Sequence, residues 1–462
     1  MVDEQVVIIG AGMSGLAAGI RLAHFGKHVL IVEKHRIPGG LNSYYWRNGR
    51  RMDVGLHAVT NYVPVGRKQA PLPKLLSQLR LAREELDLCP QRWSEIRFPG
   101  CTLRFSNDIE LLFSDVRDRF PGQVDRLRRL TQHVEAFDDK RLDVEPGSAR
   151  QVLREYLSEP LLAEMILCPV MYYGCAREHD MEFVHFATTY KSIFCEGLAR
   201  PRDGVQRFIG ALVKRYKAAG GQLRLGDGVA RLDVHGGRVR GVRLESGEEL
   251  PCDLVFSCAG YYETMRLCSD VKEPPAAADL GRLSVIEAIS ILDRPPADFG
   301  LDAAVVFFND AEQFPYACPS GPVETGSGVI CCPNNFERHE DLPEGVIRST
   351  ALARYEDWAG LGDEEYARAK REWCERLSTR VESFAPGFRE HVLDSDLFTP
   401  RTIHRFTGRL NGALYGAPQK LRDGRTRLDN LFICGTDQGL VGIVGALLSG
   451  IWMANLHVLA RS

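Results

Sequence analysis

The 462-residue sequence has no surplus of either charge: 58 Lys and Arg stand against 61 Asp and Glu, for a net charge of −3. That balance gives no general reason to expect nucleic acid as a partner. Internal repeats and low-complexity segments are absent, so neither a repeat array nor a disordered tract accounts for the length. Cysteine pairs at metal-ligand spacing are absent too. The 13 Cys are scattered and odd in number, and Cys331 and Cys332 are merely adjacent. This speaks for a reduced, cytoplasmic setting with Cys as small core residues. There is no G-x-S-x-G elbow and no Cys–His signature for covalent catalysis, and His57 and His404 are too isolated to suggest a metal set. The opening MVDEQVVIIG has neither a basic segment nor a cleavage site, so no signal peptide is expected. At this length two or three domains are expected.

One long uncharged run is present. GLVGIVGALLSGIWMANLHVLA, residues 439–460, contains no Asp, Glu, Lys or Arg. About twenty apolar residues are enough to cross a bilayer. The glycines argue against a span. Gly439, Gly442, Gly445 and Gly450 are unfavourable in a helix unless something requires close backbone approach, and Asn455 and His457 are polar. NLFICGTD, residues 430–437, precedes the run as a strand and a glycine turn. Strand, tight turn and glycine-studded helix together bring backbone close to a large ligand.

The N-terminus indicates which ligand. VVIIGAGMSGLAAGIRLAHFGKHVLIVEK has a β-α-β pattern. Residues 6–9 are a continuous apolar run, as in a buried parallel strand. Gly10, Gly12 and Gly15 form G-x-G-x-x-G: the first allows the tight turn, the second lets a pyrophosphate approach, and the third lets the helix pack on the strand. The helix start offers N–H donors and a positive dipole end for phosphates. Glu33, about twenty residues on, is placed to accept from ribose hydroxyls. Dinucleotide binding is therefore expected. Pro38-Gly39-Gly40 is a second site of close backbone approach, and Asp53-Val54-Gly55 follows a hairpin expected at Asn48-Gly49. An NAD domain does not need these parts.

GAGMSGLAAGIRLAHFGKHVLIVEKHRIPGG and MDVGLHAVTNY at the front, with NGALYGAPQ and GTDQGLVGIVGALLSG at the back, resemble the flavin amine oxidase and phytoene desaturase superfamily. Within it the likeness is to the phytoene desaturase, carotenoid isomerase and retinol saturase branch. Two features depart from the pattern: Leu-Asn-Ser follows Gly39-Gly40, and Thr436 separates Gly435 from Asp437. The resemblance implies an α/β fold in which a Rossmann-type FAD-binding domain (residues 1–65, 201–264 and 401–462) is interleaved with an α+β substrate domain (66–200 and 265–400). FAD is the implied cofactor. Lys34, Gly40, Leu41 and Asn42 would meet its pyrophosphate and ribityl chain, and the backbone at Val229 its adenine. Gly435 and Asp437 would form the ribityl turn, and a helix from Gly439 that includes Gly442 and Ile443 would run under the flavin. The implied activity is desaturation, saturation or isomerisation of C=C bonds in a lipophilic isoprenoid or polyene, with hydride transfer at flavin N5. A quinone or O₂ would accept electrons from a desaturase. Amine oxidation is the alternative, and a non-catalytic lipid-binding role on the same fold is a third.

RPRDGVQRFIGALVKRYKAAGG has the pattern of a turn and an amphipathic helix, followed by three short strands with turns at Gly236-Gly237 and Ser246-Gly247 and by an apolar strand over 253–257. The first insert is helix-rich. The second holds the strand SVIEAISIL and a charged helix over 364–380. KLLSQLRLAR, residues 74–83, is a basic amphipathic patch. It would either lie on a bilayer as a peripheral membrane contact or pack on its own domain, the commoner case for such a helix. MYYGC, residues 171–175, would line a polyene channel or serve as plain core. His57 is the catalytic candidate, placed near the flavin by the implied fold to shuttle a proton or fix the flavin edge. A structural histidine capping its own loop is the equal alternative. Arg405, Tyr415 and Glu196 are weaker candidates for the substrate pocket.

Overall fold

A strand buried on both faces has no polar side to turn to water, and it needs neighbours on each edge and helices above and below. The central strand Gln5–Ile9 meets that condition: Val6, Val7 and Ile8 are wholly buried. In the computed structural model, which describes residues 5–461 apart from 56, 65, 67–69, 140–141, 143–146, 272, 274 and 339, it sits mid-sheet. The parallel sheet runs Leu431–Ile433, Leu254–Ser257, Gln5–Ile9, His28–Glu33, Gln222–Leu225. The strand order reverses direction at Gln5–Ile9, and in open sheets of this kind ligands bind at such a switch point beyond the carboxyl ends of the strands.

The helix Met13–His24 packs on Gly442–His457, which starts three residues later than expected, after the 3-10 turn Thr436–Gln438. Gly450 of the uncharged run and Gly15 of the first helix have packing roles. A Cβ on Gly450 would collide with the Ser14 carbonyl, and one on Gly15 with the Gly10 carbonyl. The Gly435 N–H donates to Ser449 Oγ at 2.7 Å, which ties the turn to the helix that follows. No helix among the described residues is long and apolar enough to cross a membrane.

Four strands, not three, follow the helix Val205–Ala218. Gln222–Leu225 becomes the edge of the parallel sheet, and only Val229–His235, Arg238–Leu244 and Glu249–Pro251 form the antiparallel meander. The hairpin Tyr44–Arg47/Arg50–Asp53 turns at Asn48 (φ 47°) and Gly49 (φ 76°), the left-handed pair of a type I′ turn. Asn tolerates that region better than most residues, and Asn48 Nδ2 donates to Asp394 Oδ2 at 3.0 Å.

A second sheet has seven strands in the order Val392–Phe398, Ser284–Leu292, Gly345–Ala353, Ser327–Cys331, Val305–Asn309, Ser94–Phe98, Cys101–Phe105. All its pairings are antiparallel except that between Val305–Asn309 and Ser94–Phe98. The helix Pro160–Gly174 of the first insert packs on it, with Val124–Ala136 joined to the same apolar core through other helices, and the charged helix Asp363–Glu382 lies against the other end. The amphipathic segment from residue 74 is helical only in Pro71–Gln78. Leu72, Leu75, Leu76 and Leu79 are buried in the core of the first sheet, and Asn455 Nδ2 donates to Gln78 Oε1 at 3.3 Å. Its apolar stripe therefore faces inward.

Candidate active site

A cavity of about 1110 Å³ runs from the carboxyl ends of the parallel strands to the face of the second sheet. Single small-molecule sites occupy roughly 300–1,000 Å³, so this one has room for more than one ligand.

Its first half is made of backbone. Gly10 leaves the central strand with φ +97° and donates its N–H to the Val32 carbonyl at 2.8 Å. The Gly39 N–H donates to the Ala11 carbonyl at 2.9 Å, which brings the Gly39-Gly40 turn beside Gly12. Gly40, Leu41 and Asn42 form a short 3-10 turn on the wall. Glu33 is buried at the end of its strand. One carboxylate oxygen accepts from the Ala11 N–H and the other from the His35 N–H, each at 2.8 Å. An ionised carboxylate has about four acceptor sites, so capacity remains on the cavity side. Lys34 and Val229 also line the wall, as do Gly435, Gly442 and Ile443 opposite.

These residues fit FAD. A Cβ on Gly12 or Gly442 would meet no atom within 4 Å, although both lie on the wall, so each leaves room for a ligand to approach the main chain. The helices Met13–His24 and Gly442–His457 begin with no side-chain cap and no acidic residue in the first turn. Their free N–H groups suit an anionic, hydrogen-bond-accepting ligand.

Two expected contacts are not on the wall. Gly15 lies beneath it, as its packing role requires. Asp437 is buried away from the cavity and accepts from the N–H groups of Tyr261 (2.7 Å) and Ala417 (3.0 Å) and from Arg409 Nη1 (3.2 Å). Burial opposes its ionisation, but the Arg409 guanidinium and Lys420 ammonium outweigh that and hold its pKa below the usual carboxylate value. The extra residue Thr436 explains the displacement: it is Thr436 that lines the cavity, tied to Arg409 Nη2, while Asp437 turns inward. Arg409 itself lines the cavity. Nothing local marks it, since its partners Glu263 and Asp437 lie far off in sequence.

The second half of the cavity is made of side chains. His57 stands on the wall, shortly after the strand Arg50–Asp53. Arg200 ties the two together, donating from Nη1 to the His57 carbonyl at 2.9 Å and from Nη2 to Asp53 Oδ2 at 2.6 Å. His57 Nε2 lies 3.1 Å from Glu287 Oε2 and 3.0 Å from Thr350 Oγ1, and Thr350 Oγ1 donates to the same carboxylate oxygen at 3.1 Å. Arg348 Nε donates to the other oxygen at 2.8 Å. Glu287 and Thr350 face each other across paired strands. Burial pushes the Glu287 pKa up, but the Arg348 guanidinium and His57 more than reverse this and bring it down to about 2. His57 is thus held by a network from the second sheet, and the loop-capping reading does not apply. The sequence reading missed Glu287, Arg348 and Thr350. The signal was a charged residue inside SVIEAISIL, between Ile286 and Ala288, and another inside the strand VIRSTALA, after Val346 and Ile347.

Among the weaker candidates, Arg405 and Tyr415 line the cavity, the latter with its hydroxyl on the Tyr172 carbonyl. Glu196 does not. It accepts from Asn61 Nδ2 at 2.7 Å and faces a separate pocket. In the MYYGC cluster Met171 is core, whereas Tyr172 and Tyr173 reach the wall.

The chain is similar to prolycopene isomerase 2, chloroplastic, of an Oncidium hybrid cultivar, at 23% identity over 98% of this chain and 83% of that protein. It is 27% identical to the lycopene-forming phytoene desaturase of Pseudescherichia vulneris, over 57% of each chain. Among solved structures, an oxidoreductase from Methanosarcina mazei superposes with a TM-score of 0.67 at 16% identity, covering 97% of this chain and 99% of that one. The family model described as flavin containing amine oxidoreductase matches residues 13–456. With its match spanning both halves of the cavity, the chain belongs to the flavin containing amine oxidoreductase family and is an FAD-dependent oxidoreductase.

Proposed function

We propose that the chain acts on C–C and C=C bonds of a lipophilic isoprenoid or polyene, as a desaturase, saturase or isomerase. The observation that carries this reading is the apolar and aromatic chamber beyond the glycine cradle, walled by Tyr172, Val285, Phe307, Val329, Leu352 and Leu414. Such a lining stabilises a hydrocarbon body through area removed from water and offers few groups to a polar one. The two relatives are named for the carotenoids prolycopene, phytoene and lycopene, which supports the same class. FAD, when bound, supplies two-electron redox chemistry at a carbon centre.

The chain's own residues do the rest. Gly10, Gly12, Glu33, Gly40 and Gly435 hold and orient the cofactor, the chamber excludes water, and His57 takes or returns a proton at the substrate. For a desaturase the electrons pass on to a quinone or O₂. The setting is the cytoplasm with peripheral membrane contact. Phe406 and Arg405 on the cavity wall, together with the exposed Trp46, are residue types that suit a lipid surface.

The test is to incubate the FAD-loaded protein, either oxidised in air or anaerobically with its flavin reduced by dithionite, with phytoene or prolycopene and analyse the products by mass spectrometry and chromatography. Loss or gain of two hydrogens, or altered double-bond geometry, is expected. Recovery of both compounds unchanged, alongside oxidation of a primary amine, would replace this reading with amine oxidation.

A further inference from the structure

His57 alone does not determine how it would work, because an imidazole has two nitrogens and either can carry the proton of the neutral ring. The surrounding groups settle which. Glu287 is ionised and can only accept, and one of its oxygens lies 3.1 Å from His57 Nε2. Thr350 gives its hydroxyl proton to that same oxygen, which leaves its own lone pairs directed at Nε2 from 3.0 Å. Both neighbours of Nε2 are therefore acceptors, and Nε2 must carry the hydrogen. In the neutral ring, Nδ1 is then the unprotonated nitrogen. It has no protein hydrogen-bond partner among the described residues, and the ring stands on the cavity wall.

The carboxylate cannot swing away. Arg348, 2% exposed, grips its other oxygen from two residues along the strand that pairs with that of Glu287. Arg200, through the His57 carbonyl and Asp53, holds the His57 backbone. A buried pair of this kind is weak evidence for stability, since an apolar pair of similar volume often serves as well. Its position directly behind His57 on the cavity wall gives it a use.

We propose that Glu287, with Thr350, is a positioning residue: it fixes His57 in the Nε2–H tautomer, so that Nδ1 is the nitrogen presented to the substrate, and it stabilises the imidazolium formed when Nδ1 takes a proton. Arg348 keeps the carboxylate in place. The kinetic part of this inference rests on the proposed C–C bond chemistry; the tautomer does not.

Two experiments test it. The first uses ¹⁵N-histidine-labelled, FAD-loaded protein and assigns the His57 ring by comparison with His57→Gln. In the neutral form of the ring, found by titrating the signals with pH, Nε2 protonated and Nδ1 bare is expected, and Thr350→Val should mix in the other tautomer. A native Nδ1–H tautomer overturns the proposal whatever the substrate. The second compares turnover of phytoene or prolycopene by native protein, Glu287→Gln and Thr350→Val. Glu287→Gln should lower kcat at least a hundredfold with KM changed less than threefold, as for loss of a histidine-orienting carboxylate. Thr350→Val, which keeps the Glu287–Arg348 pair and therefore the fold, should lower kcat about tenfold. If folded Glu287→Gln and Thr350→Val both keep kcat within twofold, the proposal fails. If native protein converts neither compound, the proposed function fails and the tautomer measurement alone decides this one.

Discussion

In the first sheet the buried charge is Glu33 at a strand end, and the rest of the surface offered to a ligand is largely main chain: Gly10, Gly12 and Gly40 on one side, Gly435 and Gly442 on the other. In the second sheet a carboxylate and a guanidinium, Glu287 and Arg348, sit within the strands at 5% and 2% exposure, and the surface offered is side chain. A main-chain surface binds whatever suits its N–H groups, and each of its two stretches is built from neighbours in sequence. A side-chain surface is assembled across distance: Arg348 is 61 residues from Glu287, and His57 is 230. The contrast teaches that the cofactor half of the cavity depends on the absence of side chains, whereas the substrate half depends on a few polar ones matched to each other.

Breaking the second half should have the largest effect. Glu287→Leu leaves the Arg348 guanidinium buried without its counter-charge, at a cost of about 3–5 kcal/mol in denaturant unfolding. Glu287→Leu with Arg348→Met removes both charges and should recover most of that loss. If the single change costs under about 1 kcal/mol, the pair is not buried as described.

The same pair sets a pH signature. The Glu287 pKa is depressed to about 2 in the folded protein, against about 4.3 in an unfolded chain. A depressed carboxylate contributes stability that is present above the unfolded value and is lost as pH falls through the folded one. Stability of about 3 kcal/mol should therefore disappear between about pH 4.3 and pH 2, measured as the urea midpoint against pH. Glu287→Gln should flatten that part of the curve.

The first half should respond according to where each glycine points. Gly15→Ala drives a Cβ into the Gly10 carbonyl, an overpacking worth about 1–3 kcal/mol, with loss of bound flavin. Gly12→Ala meets nothing within 4 Å and should leave stability within about 0.5 kcal/mol. FAD affinity should nonetheless fall about tenfold or more, since the methyl occupies the space left for the ligand. The check is unfolding beside flavin titration for each variant. Equal destabilisation by the two changes would mean that Gly12 is a packing glycine and not part of the ligand surface.

The sequence shows the first half well because its determinants are local. The order of strand, G-x-G-x-x-G, helix, strand and Glu33 requires no knowledge of tertiary contacts, and the Asn48-Gly49 turn is equally self-contained. Where local signals compete the boundaries move: Gly439 belongs to a turn, not the helix, because Thr436–Gln438 takes up chain first. The strand Gln222–Leu225 looks like part of the meander by proximity, but it pairs with His28–Glu33. Asp437 shows the limit of motif transfer. One inserted threonine turns the acid inward, and only the buried Arg409, invisible to any local pattern, reveals where it went. The second half is hard to see for the same reason. Glu287 in SVIEAISIL is conspicuous as a charge in an apolar strand, but its partners are fixed by strand register, and register is set by the whole sheet.

The central claim is that one cavity holds FAD in the glycine cradle and an isoprenoid in the chamber beside it. The most direct measurement is the visible absorption spectrum of the purified, FAD-reconstituted protein under anaerobic conditions, titrated with phytoene, prolycopene and a primary amine. The account predicts flavin bands that bleach or shift with one of the two isoprenoids and stay unchanged with the amine. Flavin bands that bleach with the amine alone, or no bound flavin after reconstitution, would contradict it.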